Sequence, residues 1–519
     1  MKTSRIREFK NFCLAALLIA SATFAACSSS DNNIIEEQPV ENPTATKTYT
    51  MTIQATKGGD AATTRGLYTS TTDGKTSLNV TWNENEEVEV FQKTQVTPET
   101  WTSLGKLKAK ASSDGTTTLT GELTGLKDDN ASTYPLRFFL HSGDVDYKNQ
   151  NGVLDRDDNA TKSIEDNYDY ASSTAVDNYT VDGNKVVVSG GITLTSLQAI
   201  VKFTLVDAIK GNPVNATSLK IEGSQYMTES MSPTAGTKLT KELTITLPSA
   251  TNVIYAAISS VGNSNFTLTA TVGDDTYTYT KSGVTFTVGK YYEVKVKMLK
   301  YYEAVDLGLP SGTKWATMNV GATSVTDRGL YFAWGETTGH AFGSGYDFSL
   351  DKYAWYNSTD KYTKYKRDGS SWDYEELASE DDAAAKIWGG VWRMPTKAEW
   401  EELLNEDNCT WTWTTDYKGD GSNVAGVIVT SKKVGYENKS IFLPATGQYN
   451  GDTNTISEIY ANYWSKSLDT DNRLTDHEPL YYNDFAWKLE ILYNTGSLYY
   501  RRVQNEYRYY GIGVRAVRE

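Results

Sequence analysis

Leu243, Ile245 and Leu247 alternate with threonines, Phe266, Leu268, Ala270 and Val272 repeat the pattern, and Val294, Val296 and Met298 give it again. A period of two belongs to strands with one face in a core and one in water, because successive side chains point to opposite sides of the pleat. Asp73-Gly74, Asp114-Gly115 and Asp182-Gly183 supply turns between such runs. Short strands with frequent turns predict stacked antiparallel sheets rather than alternating strands and helices. The fold class expected is therefore mainly β. Residues 47–299 read as two sandwich subdomains, 47–185 and 186–299, divided after a long polar interruption from Asp144 to Tyr179. Residues 300–519 differ in kind, holding 11 of the 13 tryptophans, so a domain boundary is expected near residue 300.

The first residues carry an address. Lys2, Arg5, Arg7 and Lys10 precede an apolar stretch from Phe12 to Phe24, and Ala25-Ala26 stand before Cys27. That order is a secretory signal, with an apolar run too short for a spanning helix of about 20 residues. The Phe24-Ala25-Ala26-Cys27 ending resembles a bacterial lipobox. The resemblance implies removal of residues 1–26 and acylation of Cys27, an outer-membrane lipid anchor. Residues 27–46 are serine-rich and then acidic, and read as a flexible tether. Their Ser28-Ser29-Ser30-Asp31 start resembles the surface-export signal of Bacteroidetes lipoproteins.

Charge and cysteine content narrow the partners. The chain carries a formal net charge of −15, and loss of residues 1–26, net +3, makes it about −18. Nucleic acid is not an expected partner, since its phosphates call for a basic patch. With Cys13 removed and Cys27 acylated, Cys409 alone remains as a thiol, so no intrachain disulfide is expected.

Several motifs of the first part act together. A strand at Tyr49–Ala55, then Thr64-Arg65-Gly66, Val80-Thr81-Trp82 with Val88-Glu89-Val90, and Ala199-Ile200-Val201-Lys202-Phe203 resemble the fimbrillin family of pilus subunits. The resemblance implies two sandwich subdomains and cleavage between Arg65 and Gly66. It also implies a groove, left by the excised first strand, that takes a strand from a neighbouring fimbrial subunit. An unpaired sheet edge offers backbone donors and acceptors that an added strand satisfies.

The last part carries longer motifs. Val305-Asp306-Leu307-Gly308-Leu309-Pro310-Ser311-Gly312-Thr313-Lys314-Trp315-Ala316 opens it, Trp392-Arg393-Met394-Pro395-Thr396 sits mid-way, and Gly513-Val514-Arg515-Ala516-Val517-Arg518 closes it. With Phe442-Leu443-Pro444-Ala445 and Tyr463-Trp464-Ser465 between, these resemble the Fibrobacter major-paralogue domain, which implies an α+β C-type lectin-like fold with ligand-presenting loops for residues 300–519. Thr396 three residues before Glu399 predicts a capped helix with Trp400, Leu403 and Leu404 on one face. Another helix is expected to end at Ile387-Trp388, stopped by Gly389-Gly390. Trp315, Trp392 and Trp400 are expected in the core.

Catalytic patterns are missing from the sequence: there is no Gly-x-Ser-x-Gly elbow, no His-Glu-x-x-His and no phosphate loop. The fold relatives that oxidise cysteine use a cysteine pair, whereas this domain has Cys409 alone. Gly511-Ile512-Gly513 followed by Ala516 has the form of a dinucleotide fingerprint but is expected to be a terminal strand. Glu399, Glu401 and Glu402 are the only support for a hydrolase, and the chain is expected not to be an enzyme. Calcium is considered at Asp146, Asn149, Asn151 and Asp155, oxygen donors spaced around Gly152, with a solvated acidic loop as the alternative. Trp334, Trp355, Tyr356 and Trp372 fall in loop-like sequence and are the expected ligand-binding set, flat rings suited to a sugar or a protein surface. Two functions follow. One is a fimbrial subunit of adhesin type, placed at the tip because the chain closes on an integral motif rather than a free strand. The other is a monomeric surface lipoprotein that captures glycans for nutrient uptake.

Overall fold

The computed structural model describes residues 47–519 other than 59–67, 73–74, 80, 96–98, 128–130, 141–143, 155–162, 233–235, 360, 369–370, 420–422, 456–457, 471–483 and 495–496. The signal, the tether, Cys27, Arg65, Gly66, Asp73-Gly74 and Asp155 lie outside the described residues. The fold is mainly β.

The first sheet is built from β1 (Thr48–Gly58), β4 (Glu87–Gln95), β5 (Thr100–Ala109), β6 (Thr116–Thr124), β7 (Leu136–Leu140), β9 (Ala171–Ser172), β10 (Tyr179–Asp182), β11 (Lys185–Val188) and β12 (Ile192–Ser196). Between β1 and β4 stands a separate hairpin, β2 (Tyr68–Thr72) with β3 (Lys75–Asn79). Strand order runs β10-β11-β1-β12-β9-β7-β4-β5-β6, and β6 returns to pair with β1, so the sheet closes on itself. Asp114-Gly115 and Asp182-Gly183 sit between β5 and β6 and between β10 and β11, with φ of 76° and 60° at the glycines. Glycine suits those positive angles because it has no Cβ to clash.

The second sheet system takes β8 (Val145–Asp146) and then β13 (Ala199–Asp207), β14 (Ala216–Ser232), β15 (Gly236–Thr251), β16 (Val253–Ile258), β17 (Val261–Val272), β18 (Asp275–Phe286) and β19 (Tyr291–Lys300). The alternating residues of the sequence fill its core: Leu243, Ile245, Leu247, Phe266, Leu268, Ala270, Val296 and Met298 are all buried together. The polar interruption is not a spacer. Its Val145, Tyr147, Leu154, the Ile164 of a short helix α1 (Ile164–Asn167), Tyr168 and Tyr170 belong to this second core. The expected division at 185/186 falls inside the first sheet, since β11 and β12 pair with β1, and the sheets part at Leu197-Gln198. A polar stretch between two strands does not reveal which core each strand joins.

Three residues, 301–303, separate β19 from β20 (Ala304–Asp306). β20, β21 (Lys314–Asn319) and the closing strand Arg515–Arg518 form one small sheet. A six-stranded sheet carries β22 (Leu330–Phe332) and β23 (His340–Ala341) at one side and Tyr460–Leu468, Phe485–Asn494 and Ser497–Tyr507 at the other, with Ile512–Gly513 between. The Gly511-Ile512-Gly513 run is therefore strand, as expected. Helix α2 (Ala383–Trp388) is capped by Asp382, whose carboxylate accepts from Ala384 N and Ala385 N, and stops at Gly389. Helix α3 (Lys397–Leu404) carries the full capping box of Thr396 and Glu399, with Trp400 and Leu403 buried and Leu404 half-buried. Trp315, Trp392 and Trp400 are core residues.

Buried charges join the motifs of this part. Arg515, fully buried, donates from Nε to Asn319 at 2.9 Å and from its two terminal nitrogens to Ala316 O and Phe442 O at 2.7 Å each. Burial pulls its guanidinium down to about 10 from an ordinary 12.5, still charged at neutral pH. Glu399 accepts both terminal nitrogens of Arg393 at 2.7 Å and the Thr313 hydroxyl at 2.7 Å, besides its capping bond from Thr396 N at 2.8 Å.

Arg515→Met leaves three buried acceptors without donors and is expected to lower unfolding free energy by about 3 kcal/mol or more in a denaturant titration. Burial alone raises the carboxyl of Glu399, but the bonds from Arg393, Thr313 and Thr396 outweigh it and hold the group at about 2 against an ordinary 4.5. A depressed carboxylate stabilises the fold above its unfolded value and loses that contribution as pH falls toward its folded value. Thermal melts of the intact chain should thus drop steeply from about pH 4.5 to about pH 2, and Glu399→Gln should melt lower at neutral pH with a shallower acid limb.

Candidate functional site

β1 is the strand that closes the first sheet. Its residues 48–56 pair antiparallel with β6, while the opposite edge pairs parallel with β11 at 50–51 and with β12 at 55–58. Tyr49, Met51, Ile53, Ala55 and Lys57 point inward and their neighbours point out. The four apolar side chains pack among Val88, Leu107, Leu119, Phe138, Val186 and Ile192. Full burial of side chains as large as Met51 and Ile53 contributes about 1.5–3 kcal/mol each.

Lys57 is the exception in that row, and it has a socket. Its Nζ lies 3.4 Å from Glu86 Oε1 and 3.7 Å from the centroid of the Trp82 ring, with side-chain exposures of 2% for Lys57 and 0% for Glu86. Trp82 is itself fixed by Nε1 donating to Gly115 O at 3.0 Å, and Glu86 Oε2 accepts from Asn83 N at 3.2 Å. A charge this deep is tolerated because it is paired and set against the negative face of an indole. The sequence offered a hint in the basic residue at the fifth inward position of β1, but no distance from Lys57 to Trp82 and Glu86 could be read from it.

The expected ligand set of the last domain is placed differently. Trp334 is fully buried and donates to Ser465 O at 2.8 Å, which corrects its expected place on a ligand-facing surface: the ring is core. Trp355 is half-buried, donating from Nε1 to Gly335 O at 3.0 Å, with Lys364 Nζ 5.2 Å from its ring. Tyr356 is half-buried beside Tyr362, and Trp372 packs against the core that holds Trp334. What gathers these loops is Arg508, absent from the sequence reading. It is buried, donates to Tyr353 Oη, Tyr365 O and Lys364 O, and lies within 6 Å of the ring centroids of Trp334, Tyr353, Tyr362 and Tyr365. Trp334, Tyr353, Tyr362 and Tyr365 thus form a cation-centred core around Arg508. The Tyr507-Arg508-Tyr509-Tyr510 run was the available signal.

Of the residues considered for calcium, Asp146, Asn149 and Asn151 are described and Asp155 is not. Asp146 Oδ1 accepts from Lys148 N at 2.9 Å, and Asn151 Oδ1 from Val153 N at 3.1 Å, so both oxygens stitch local turns. Asn149 takes a φ of 60°, as a turn residue. Gly152, φ +76°, lies against Leu247 and Ile254, where a Cβ would clash at 2.4 Å and 3.1 Å; the glycine serves core packing. Among the described residues no group of three His, Cys, Asp or Glu side chains could hold a metal ion. Cys409 is buried, which pushes its thiol up to about 11 and makes it unreactive at neutral pH.

No family model matches the chain, and no curated protein matches it. Among solved structures, a fimbrial protein from Bacteroides ovatus aligns with 92% of this chain and 100% of its own at 10% identity and a TM-score of 0.23. A protein from Bacteroides uniformis assigned to cell adhesion covers 49% of this chain and 97% of its own at 11% identity and a TM-score of 0.27. The TIE protein of Bacillus anthracis covers 49% of this chain and 34% of its own at 11% identity and a TM-score of 0.14. Scores of this size establish no shared fold, so the functional reading rests on the geometry of the chain itself.

Proposed function

We propose that the chain is a surface fimbrial subunit of adhesin type, in which β1 is the exchangeable strand and the last domain carries the ligand site. The observation that carries the reading is that β1 closes the first sheet by pairing along both edges. A sheet closed by its first described strand can be opened by cutting the chain beyond that strand. The opened slot would expose two backbone edges and an apolar floor, which a strand from another subunit could fill. Arg65-Gly66 follows β1 by seven residues and is the proposed cut. Cys27, ahead of β1, would anchor the unprocessed chain to the outer membrane and be lost with it. The C-type lectin-like character of residues 300–519, the tip position and the adhesive role of that domain belong to the same proposal.

The alternative, a monomeric glycan-capturing lipoprotein, keeps β1 in place permanently, and the buried Lys57 is the feature that favours it. N-terminal sequencing of protein sheared from cells separates the two. A chain starting at Gly66 supports the fimbrial reading; a chain still acylated at Cys27 rejects it in favour of the lipoprotein.

A stability prediction accompanies the slot. Lys57→Met removes the cation facing Glu86 and is expected to cost about 3 kcal/mol, as breaking a buried pair does. In the intact chain it should speed hydrogen exchange of β1 and β6 amides together. Unchanged exchange would show that β1 is held by its apolar row alone.

A further inference from the structure

The last domain has a cavity of about 530 Å³ between the loop before β22, the end of β23 and the segments flanking Asn423 and Ala445. That volume lies within the range of small-ligand sites. None of the four aromatics expected from the sequence lines it. Arg328 and Phe342 do.

Their geometry is specific. Arg328 Nε donates to Ala445 O at 3.2 Å, and its guanidinium carbon lies 4.5 Å from the Phe342 ring centroid. The plane is thus tethered at one atom and covered by an aromatic ring, while its terminal nitrogens make no hydrogen bond or ion pair to a described residue. Asp327, its chain neighbour, is occupied elsewhere: Oδ2 accepts from Thr323 N at 3.0 Å and Oδ1 from Gly329 N at 3.1 Å, bonds that brace the loop presenting Arg328. Phe342 is 49% exposed although its neighbours Tyr331 and Tyr449 are buried. An exposed ring next to a pre-set guanidinium edge pairs an apolar face with two parallel N–H donors.

We propose that this cavity is a subsite for a carboxylated saccharide, a uronic or sialic acid unit. Two N–H groups from the terminal nitrogens of Arg328 would bind the sugar carboxylate in bidentate fashion, the arrangement arginine supports and lysine does not. Phe342, which also lines the cavity, would meet a C–H face of the ring. The inference deepens the ligand role of the last domain and rests on it. It does not depend on strand exchange.

The test is calorimetric titration of the full chain with sialyllactose and with trigalacturonic acid, each against its neutral counterpart, lactose and a carboxyl-reduced trimer. One of the acidic probes should bind at least tenfold more tightly than its neutral partner. Arg328→Met should abolish that preference, Arg328→Lys should lose on the order of tenfold, and Phe342→Ala should weaken binding with the acid preference retained. Equal binding of acidic and neutral probes, unchanged in Arg328→Met, would overturn the carboxylate assignment and leave the ligand role of the domain standing. No binding of any of the four saccharides would overturn both. Thermal melts matching the parent chain check that the variants are folded, and Arg328→Lys, which keeps the charge and must still lose affinity for the acidic probe, stands in if Arg328→Met is not.

Discussion

The first sheet depends on a seam. Its strands follow one another around a ring, and the ring is closed by the pairing of β1 with β6. Closure removes the open edges that make sheets prone to add strands. It also concentrates the vulnerability of the sheet in one segment near the start of the described chain. The parallel contacts with β11 and β12 on the other edge matter equally, since they let a single strand satisfy two neighbours that do not otherwise pair with each other. A strand in that position is both the most necessary in the sheet and the one whose loss creates a defined vacancy.

The last domain answers a different constraint. It has little helix and many loops, and its Cys409 has no disulfide partner. Buried arginines supply donors to backbone carbonyls in its interior, in strands at Ala316 and Phe442 and in a loop at Lys364 and Tyr365. Arg515 ties the closing strand to β21 and to Phe442, and Arg508 ties the strand Ser497–Tyr507 to the segment around Tyr365. Glu399 does the converse, gathering donors from Thr313, Arg393 and Thr396. Arg515, Thr313, Arg393 and Thr396 lie in the three motifs visible in the sequence, while Glu399 and Arg508 stand just outside them, so the motifs mark places where distant segments are fastened.

This explains what was legible. Period-two alternation reports local exposure, so the buried rows of β15, β17 and β19 could be read directly, as could the Thr396–Glu399 cap, whose partners are three residues apart. Sheet membership is not local. The segment from Asp144 to Tyr179 read as a polar interruption because its core residues, Tyr147, Leu154, Ile164, Tyr168 and Tyr170, are too widely and irregularly spaced to show a period. Trp334 was misplaced for the same reason: glycine and charge around it mark a loop, but a loop can be folded inward, and its indole N–H found a carbonyl 131 residues away. Arg328 gave no signal, because its meaning lies in contacts with Phe342 and Ala445.

The joints between the parts constrain how they act together. Tyr302 stacks on Trp388 at 3.8 Å between centroids, Trp392 meets it edge-on, and Gly389 leaves room for Ile209 of the second sandwich, where a Cβ would sit 2.6 Å from Ile209 Cδ1. The last domain is therefore seated on the sandwich rather than swung from a linker. Chain direction then sets how load would pass. The last domain continues from the C-terminal end of β19, while β13 continues back from its N-terminal end to β12, which pairs with β1. β13 and β19 are parallel, registered from Ile200 opposite Tyr291 to Asp207 opposite Met298. Tension between the first sheet and the last domain thus pulls these two strands from opposite ends, and the ladder bears it in shear, with its hydrogen bonds loaded together. A peeling geometry would load them one at a time. A parallel pair at this point therefore resists separation of the first sheet from the last domain better than a pair loaded from one end.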